Sequence, residues 1–208
     1  MKANFLSTLQ ALLATTTLLV AAVPAQANLL SNGSFEGPFV TSDYCYGCVA
    51  GGWSGPAPMI HASSGAWGNP QGLGGYSFGL QLVGLQNASY IEQTINLAAG
   101  SYQLTWNDAG RAGYYSTAYD IYFDGVKLNA SSFATNGGQA WSSHGLAFTA
   151  QGAGALRFQG LAINPDGTAF IDNLALNARQ NVPEPQSLAL VTLALLGAGL
   201  AGRRKAAR

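Results

Sequence analysis

Between residues 78 and 176 the chain keeps a beat of two. Phe78, Leu80 and Leu82 alternate with small or polar residues, as do Ile91, Ile95 and Leu97, then Tyr102, Leu104 and Trp106. The same beat runs through Tyr119, Ile121 and Phe123, then Leu146 and Phe148, Leu156 and Phe158, and Phe170, Leu174 and Leu176. A side chain that returns to one face every second residue belongs to an extended strand with that face buried. Turn-forming pairs fall between the runs: Ala99-Gly100, Asp124-Gly125, Asn136-Gly137-Gly138 and Pro165-Asp166-Gly167. No stretch of 28–180 has a helical period. The pattern predicts an all-β domain, a jelly-roll β-sandwich of about eight strands.

The two ends do not share this pattern. Residues 1–27 hold Lys2, an apolar stretch from Leu9 to Val23 and the small-x-small sequence Ala25-Gln26-Ala27. This is the build of a secretory signal peptide, and it makes the chain an exported one. At the other end Pro183, Glu184 and Pro185 precede an uncharged run, Ser187 to Gly202, and then Arg203, Arg204, Lys205 and Arg208. As a helix of 1.5 Å per residue the run spans about 24 Å, short against about 30 Å of bilayer hydrocarbon. The basic tail suits a cytoplasmic membrane face, and the prolines stop a helix from growing backward. The segment 181–208 therefore reads as a short membrane helix with a basic tail, outside the folded domain.

The remaining segment, 28–180, has the length of one domain. It carries eight acids and four bases, a net charge of −4, which excludes a basic nucleic-acid face. Few charges and abundant Gly fit a strand-and-turn protein working outside the cell.

The order Pro-Glu-Pro, short apolar helix, Arg-rich end resembles the PEP-CTERM sorting signal of Gram-negative bacteria. The resemblance implies processing by an exosortase, transient anchoring in the inner membrane, and a destination in the envelope or an exopolysaccharide matrix. Within the domain, "NLLSNGSFEG", "GSYQLTW" and "FIDNLAL" resemble the galactose-binding-domain-like jelly roll, a fold shared by many carbohydrate-binding modules.

Asp172 shares the alternating face of Phe170, Leu174 and Leu176, and an inward carboxylate needs a partner. The family resembled often holds a structural Ca²⁺ between its first and last strands. That resemblance implies Glu36 and Asp172 as ligands, with oxygens near Asn32 and Ser34; hard oxygen donors suit Ca²⁺. Cys45 and Cys48 are the only cysteines. In an oxidising compartment, with no second pair, they read as a local disulfide clip rather than a redox centre or half of a zinc site.

Gly75-Tyr76-Ser77-Phe78-Gly79 matches G-x-S-x-G, and Asp108 or Asp120 followed by His144 would complete a hydrolase order. A nucleophile elbow needs a strand before the serine and a helix after it, and neither is predicted here. His61 and His144 read as loop or surface residues. Of paired acids, Asp120 and Asp124 share a strand face, but Asp124 belongs to a turn and no glycosidase pair stands out.

The aromatics are the stronger lead. Trp53, Trp67 and Tyr76 lie in Gly/Pro/Ser-rich loop sequence, and Arg111, Tyr114 and Tyr115 lie between two strands. Loops at one end of a sandwich are where ligand sites are built. Trp106 and Trp141 read as core. The sequence thus predicts a non-enzymatic exported protein that associates with exopolysaccharide by ring stacking and hydroxyl hydrogen bonds. The alternatives are a structural or adhesive surface protein without a glycan site and a secreted hydrolase.

Overall fold

The computed structural model describes residues 27–40 and 43–179. The signal-peptide segment up to residue 26, the Pro183-Glu184-Pro185 motif, the apolar run and Arg203 and Arg204 lie outside the described residues. Among the described residues no helix is long and apolar enough to cross a membrane.

The strands are β1 (Tyr44–Cys45), β2 (Met59–His61), β3 (Gln81–Gln86), β4 (Tyr90–Ile95), β5 (Gly100–Gly110), β6 (Thr117–Phe123), β7 (Val126–Lys127), β8 (Phe133–Thr135), β9 (Ser142–Ala150), β10 (Gly154–Leu161) and β11 (Thr168–Ala178). They form two antiparallel sheets. One has the order β1-β2-β3-β11-β5-β9; the other has β4-β10-β6-β7, with β8 also on β6. From β3 to β6 the chain crosses between sheets at each connection, which makes a sandwich and leaves the inner faces to pack on each other. The longer strands are those the alternation predicts. The four strands beyond them, β1, β2, β7 and β8, have two or three residues each, too few to show a period.

The inter-sheet core is built from the expected inward residues: Leu104 and Trp106, Tyr119 and Ile121, Leu156 and Phe158. A second core lies on the outer face of the larger sheet. There Ile60, Leu82, Ala109 and Phe170 pack against Trp67 and Trp141 from covering loops. This layer explains two departures from the predicted pattern. β3 is buried on both faces, as a strand covered on both sides must be. Phe78 and Leu80 are outside it, in the loop before, with Leu80 exposed.

The third departure is on β11. Its pairing with β5 shifts register between Asp172 and Ala175, and Asn173 takes φ 54°. This bulge inserts one residue and reverses the facing of the rest of the strand. Ile171, Leu174 and Leu176 point into the inter-sheet core, while Phe170 faces the outer one. Asp172 is buried, as expected, but on the side of Phe170 and away from Leu174 and Leu176.

Candidate functional site

At the end of the sandwich where β5 finishes and β11 begins, the loops bring four rings and one arginine together. Tyr44 and Tyr46 flank Cys45 on the same side of the β1 segment. Their rings meet edge-on at 5.7 Å, and they stand 5.9 and 6.1 Å from the ring of Trp67. Arg111, just past β5, lays its guanidinium 4.3 Å over Trp67 and 3.6 Å over Tyr114. Arg111 is only 7% exposed. Its Nη2 donates to the Ala66 carbonyl at 2.8 Å, while Nε is buried with no hydrogen-bond partner. The guanidinium is thus held chiefly by two aromatic faces, an arrangement in which the ring quadrupoles offset part of the cost of burying a cation.

Gly137 makes the position of Tyr114 possible. A Cβ there would lie 1.9 Å from the Tyr114 carbonyl oxygen, so no larger residue lets the β8–β9 loop support that backbone. On the rim Tyr46 donates its hydroxyl to Gln86 Oε1 at 2.9 Å, and Gln86 Nε2 donates to Asp166 Oδ1 at 3.2 Å. The result is a surface of exposed Tyr44, Tyr46 and Tyr114 rings standing on buried Trp67 and Arg111, with an amide and a carboxylate beside it. Tyr115, 64% exposed, is next in the same loop.

Of the predicted ligand-binding residues, Arg111, Tyr114 and Tyr115 lie here and Trp67 forms the floor. Trp53 does not belong. It is buried in the inter-sheet core against Phe35 at 5.3 Å, and its Nε1 donates to the Ser31 and Asn32 carbonyls. Tyr76 also sits elsewhere, in the outer core, packed on Phe78 and Trp141. Tyr44 and Tyr46 are members of the cluster that the sequence reading missed. Their signal was the Tyr-Cys-Tyr alternation beside a disulfide. That disulfide, Cys45–Cys48, is present and closes the loop that carries Tyr46.

The predicted calcium residues lie on two neighbouring segments. The first segment runs beside β11, with Leu174 N–H donating to the Gly33 carbonyl and Leu29 N–H to the Leu176 carbonyl, both at 2.8 Å. Glu36 Oε1 accepts the Leu80 and Gln81 amides at 2.9 and 3.1 Å. Asp172 accepts Asn173 N–H at 2.6 Å and the Tyr76 hydroxyl at 3.3 Å. Burial lifts the Asp172 carboxyl well above its ordinary range; the Asn173 amide opposes this and the nearby Glu36 charge adds to it. Burial likewise pushes the Tyr76 phenol upward, with the charges of Asp172 and Glu36 reinforcing it.

Two carboxylates near one another, one of them fully buried and neither in an ion pair with a base among the described residues, have the donor chemistry of a hard divalent cation. Asn32 does not fit as a third ligand. Its carbonyl is taken by Phe35 N–H and Trp53 Nε1, and its side chain by Gly37 and Gly51. Ser34 is half-buried next to Gly33. Among the described residues no group of three or more His, Cys, Asp or Glu could hold a metal ion, so any remaining ligands would have to be backbone oxygens or water.

The hydrolase candidates separate. Ser77 is exposed in a loop with no helix after it. His144 is not a surface residue as predicted: it stacks on Trp106 at 5.4 Å, with Nε2 2.8 Å from Asp108 Oδ1. Asp108 is fully buried and also accepts Ser142 Oγ at 2.7 Å, Gln139 Nε2 at 3.2 Å and the Tyr119 hydroxyl at 2.8 Å. Ser142 Oγ lies 3.2 Å from the same His144 Nε2. A triad needs the carboxylate on one imidazole nitrogen and the serine on the other. Here both crowd onto one, which is the geometry of a structural network.

Residues 181–205 match the PEP-CTERM protein-sorting motif. The chain carries a PEP-CTERM sorting signal. That signal marks an exported protein of the Gram-negative envelope type. No curated protein matches the chain. Solved structures similar to it include several carbohydrate-binding modules and an enzymatically active domain of a bacteriophage CBA120 tailspike protein. A family 35 module from Clostridium thermocellum is 24% identical, with 51% of this chain and 84% of that one covered and a TM-score of 0.40. The CBM22-1 xylan-binding domain of Paenibacillus barcinonensis Xyn10C is 12% identical over 74% and 96%, with a TM-score of 0.45. A CBM36 module in complex with calcium and xylotriose is 18% identical over 46% and 79%, with a TM-score of 0.39.

Proposed function

We propose that this chain is a non-enzymatic glycan-binding protein of the cell envelope or extracellular matrix, delivered by an exosortase and engaging exopolysaccharide through the aromatic cluster at one end of its sandwich. The observation that carries this reading is the set of exposed tyrosine rings held over Trp67 and Arg111. Sugars offer flat C–H faces that rest on aromatic rings and hydroxyls that pair with amides and carboxylates, and both kinds of group are present at this rim. A buried arginine beneath rigid tyrosines provides a surface already ordered before ligand arrives, which reduces the entropy lost on binding. Glu36 and Asp172 are proposed as the protein ligands of a structural Ca²⁺ that joins the first segment to β11, away from the aromatic rim and without a catalytic role.

The test is binding of the purified chain to immobilised exopolysaccharide, compared with Tyr46→Ala and Tyr114→Ala. Saturable binding weakened about tenfold by either change, an energy of about 1.4 kcal/mol, is the expected result. A well-folded chain that binds no polysaccharide but associates with itself or with other surface proteins would move the function to the adhesive class.

A further inference from the structure

The outer face of the smaller sheet carries a hollow, on a different face from the aromatic cluster. Its volume is about 390 Å³, and its lining includes Glu92, Tyr122, Gly125, Ala155, Arg157 and Gln159. The register explains how it forms. Glu92 of β4, Arg157 of β10 and Tyr122 of β6 stand in one cross-strand row, and Tyr90, Gln159 and Asp120 in the next. The inward partners of β10, Leu156 and Phe158, are fully buried, so Ala155, Arg157 and Gln159 face out together. Ala155 and Gly125 are small and leave depth; Arg157 and Tyr122 make the walls.

The side chains in these rows are ordered before any ligand binds. Arg157 Nε donates to Glu92 Oε2 at 2.7 Å, and its guanidinium lies 4.2 Å over the ring of Tyr90. Gln159 Nε2 donates to the Ala88 carbonyl at 2.8 Å. In the second row Lys127 Nζ sits 2.9 Å from Asp120 Oδ1. Each cation is matched by its own anion, so the surface offers fixed donors and acceptors without a net charge to attract an ion. Among its lining residues no Leu, Ile, Val, Phe or Met is present, which leaves it without the apolar centre that protein interfaces use. Paired donors and acceptors beside tyrosine rings, in an open trough across three strands, match a ligand rich in hydroxyls that are donors and acceptors at once.

We infer that this trough is a second glycan-binding site, taking a neutral, extended segment of polysaccharide. Together with the loop-end cluster proposed above, on which this part of the inference rests, it makes one domain bivalent, able to join two polysaccharide chains. Such a protein would act as a cross-link in a matrix.

The test is calorimetric titration of the purified chain with xylohexaose and with cellohexaose as neutral probes, alongside Tyr122→Ala, Gln159→Ala and Tyr114→Ala. All three side chains are on the surface, and circular dichroism checks that each variant is folded; Gln159→Ala stands in if Tyr122→Ala is not. Two equivalents bound by the parent, reduced to one by Tyr122→Ala or Gln159→Ala and to the other one by Tyr114→Ala, is the expected result, with the affected site weakened about tenfold or more. One equivalent, unchanged by both trough variants, would overturn the second site and leave the loop-end site standing. Loss of all binding in the trough variants with none in Tyr114→Ala would do the reverse. No binding to either probe at millimolar concentration would remove the neutral-glycan trough.

Discussion

Replacing Arg111 tests whether the aromatic cluster is held from beneath. The side chain makes two cation–π contacts, at 4.3 and 3.6 Å, each worth about 1 kcal/mol at a site this dry. Its charged hydrogen bond to Ala66 adds about 1.5–3 kcal/mol. Against these stands the unpartnered buried Nε, whose desolvation costs about 1–3 kcal/mol and is relieved on truncation. The difference leaves Arg111→Ala about 2 kcal/mol less stable. For a domain of this size that is about 4–8 °C in Tm, read by thermal unfolding followed by circular dichroism. Arg111→Lys should recover less than half, because an ammonium cannot present a flat face to two rings. Glycan binding should fall as Tyr114 loses the surface it rests on. A Tm within about 1 °C of the parent for Arg111→Ala, with binding intact, would refute the clamp and with it the claim of a pre-ordered site.

The same geometry carries three further outcomes. Asp172 has its folded pKa raised by burial, so without a cation its contribution is fully present below the unfolded value of about 3.9 and is lost as pH rises toward the folded one. Ca²⁺ should therefore raise Tm more at pH 8 than at pH 5, and Asp172→Asn should gain metal-free stability at pH 8 while losing the Ca²⁺ response; identical melting with Ca²⁺ and with chelator at both pH values would dismiss the site. Opening the Cys45–Cys48 link with Cys45→Ser and Cys48→Ser should cost about 2 kcal/mol or less, since the closed loop is short, yet weaken glycan binding because Tyr46 is carried on it; equal affinity before and after reduction would show that the clip has no part in the site. Asp108→Ala strands the buried Tyr119 hydroxyl and unties the half-buried Ser142, Gln139 and His144, and should destabilise by about 3 kcal/mol, measured by urea unfolding, without altering either proposed glycan site.

The sandwich is legible in the sequence because its strands each bury one face, and a period of two survives in Tyr102, Leu104 and Trp106 however the loops are arranged. The misplaced residues have separate physical origins: buried loop rings, a bulge and cross-strand register. Trp53 and Trp67 stand in Gly-rich loop sequence that looks like exposed surface, but those loops have cores to fill, and both rings are buried in them or beneath them. The bulge at Asn173 is a single residue with positive φ; nothing in an alternating run announces the change of phase, so alternation alone places Asp172 on the face of Leu174. Tyr122, Arg157 and Gln159 are hidden for the opposite reason. They are the polar half of a regular alternation, and only the register between three strands shows that they stand side by side.

The position of the sorting signal bears on the reach of the proposed sites in a molecule held by its C-terminal end. β5 runs from Gly100 to Gly110 and β11 returns antiparallel to it, with Ala169 opposite Gly110 and Ala178 opposite Tyr102. Arg111 therefore follows β5 at one end of the sandwich, and Arg179, whose N–H donates to the Ser101 carbonyl, leaves at the other. Ten steps of an extended strand separate the two ends by about 33 Å. The matched motif begins at residue 181, directly after this exit. A protein held by that end presents its aromatic cluster on the far side from its attachment, and the trough on the smaller sheet lies along its flank. Attachment by that end would block neither proposed surface by its direction. Immobilising the chain through its C-terminus should accordingly leave glycan affinity within about twofold of the value in solution, whereas coupling through a cysteine placed at Tyr115 should abolish binding at the cluster.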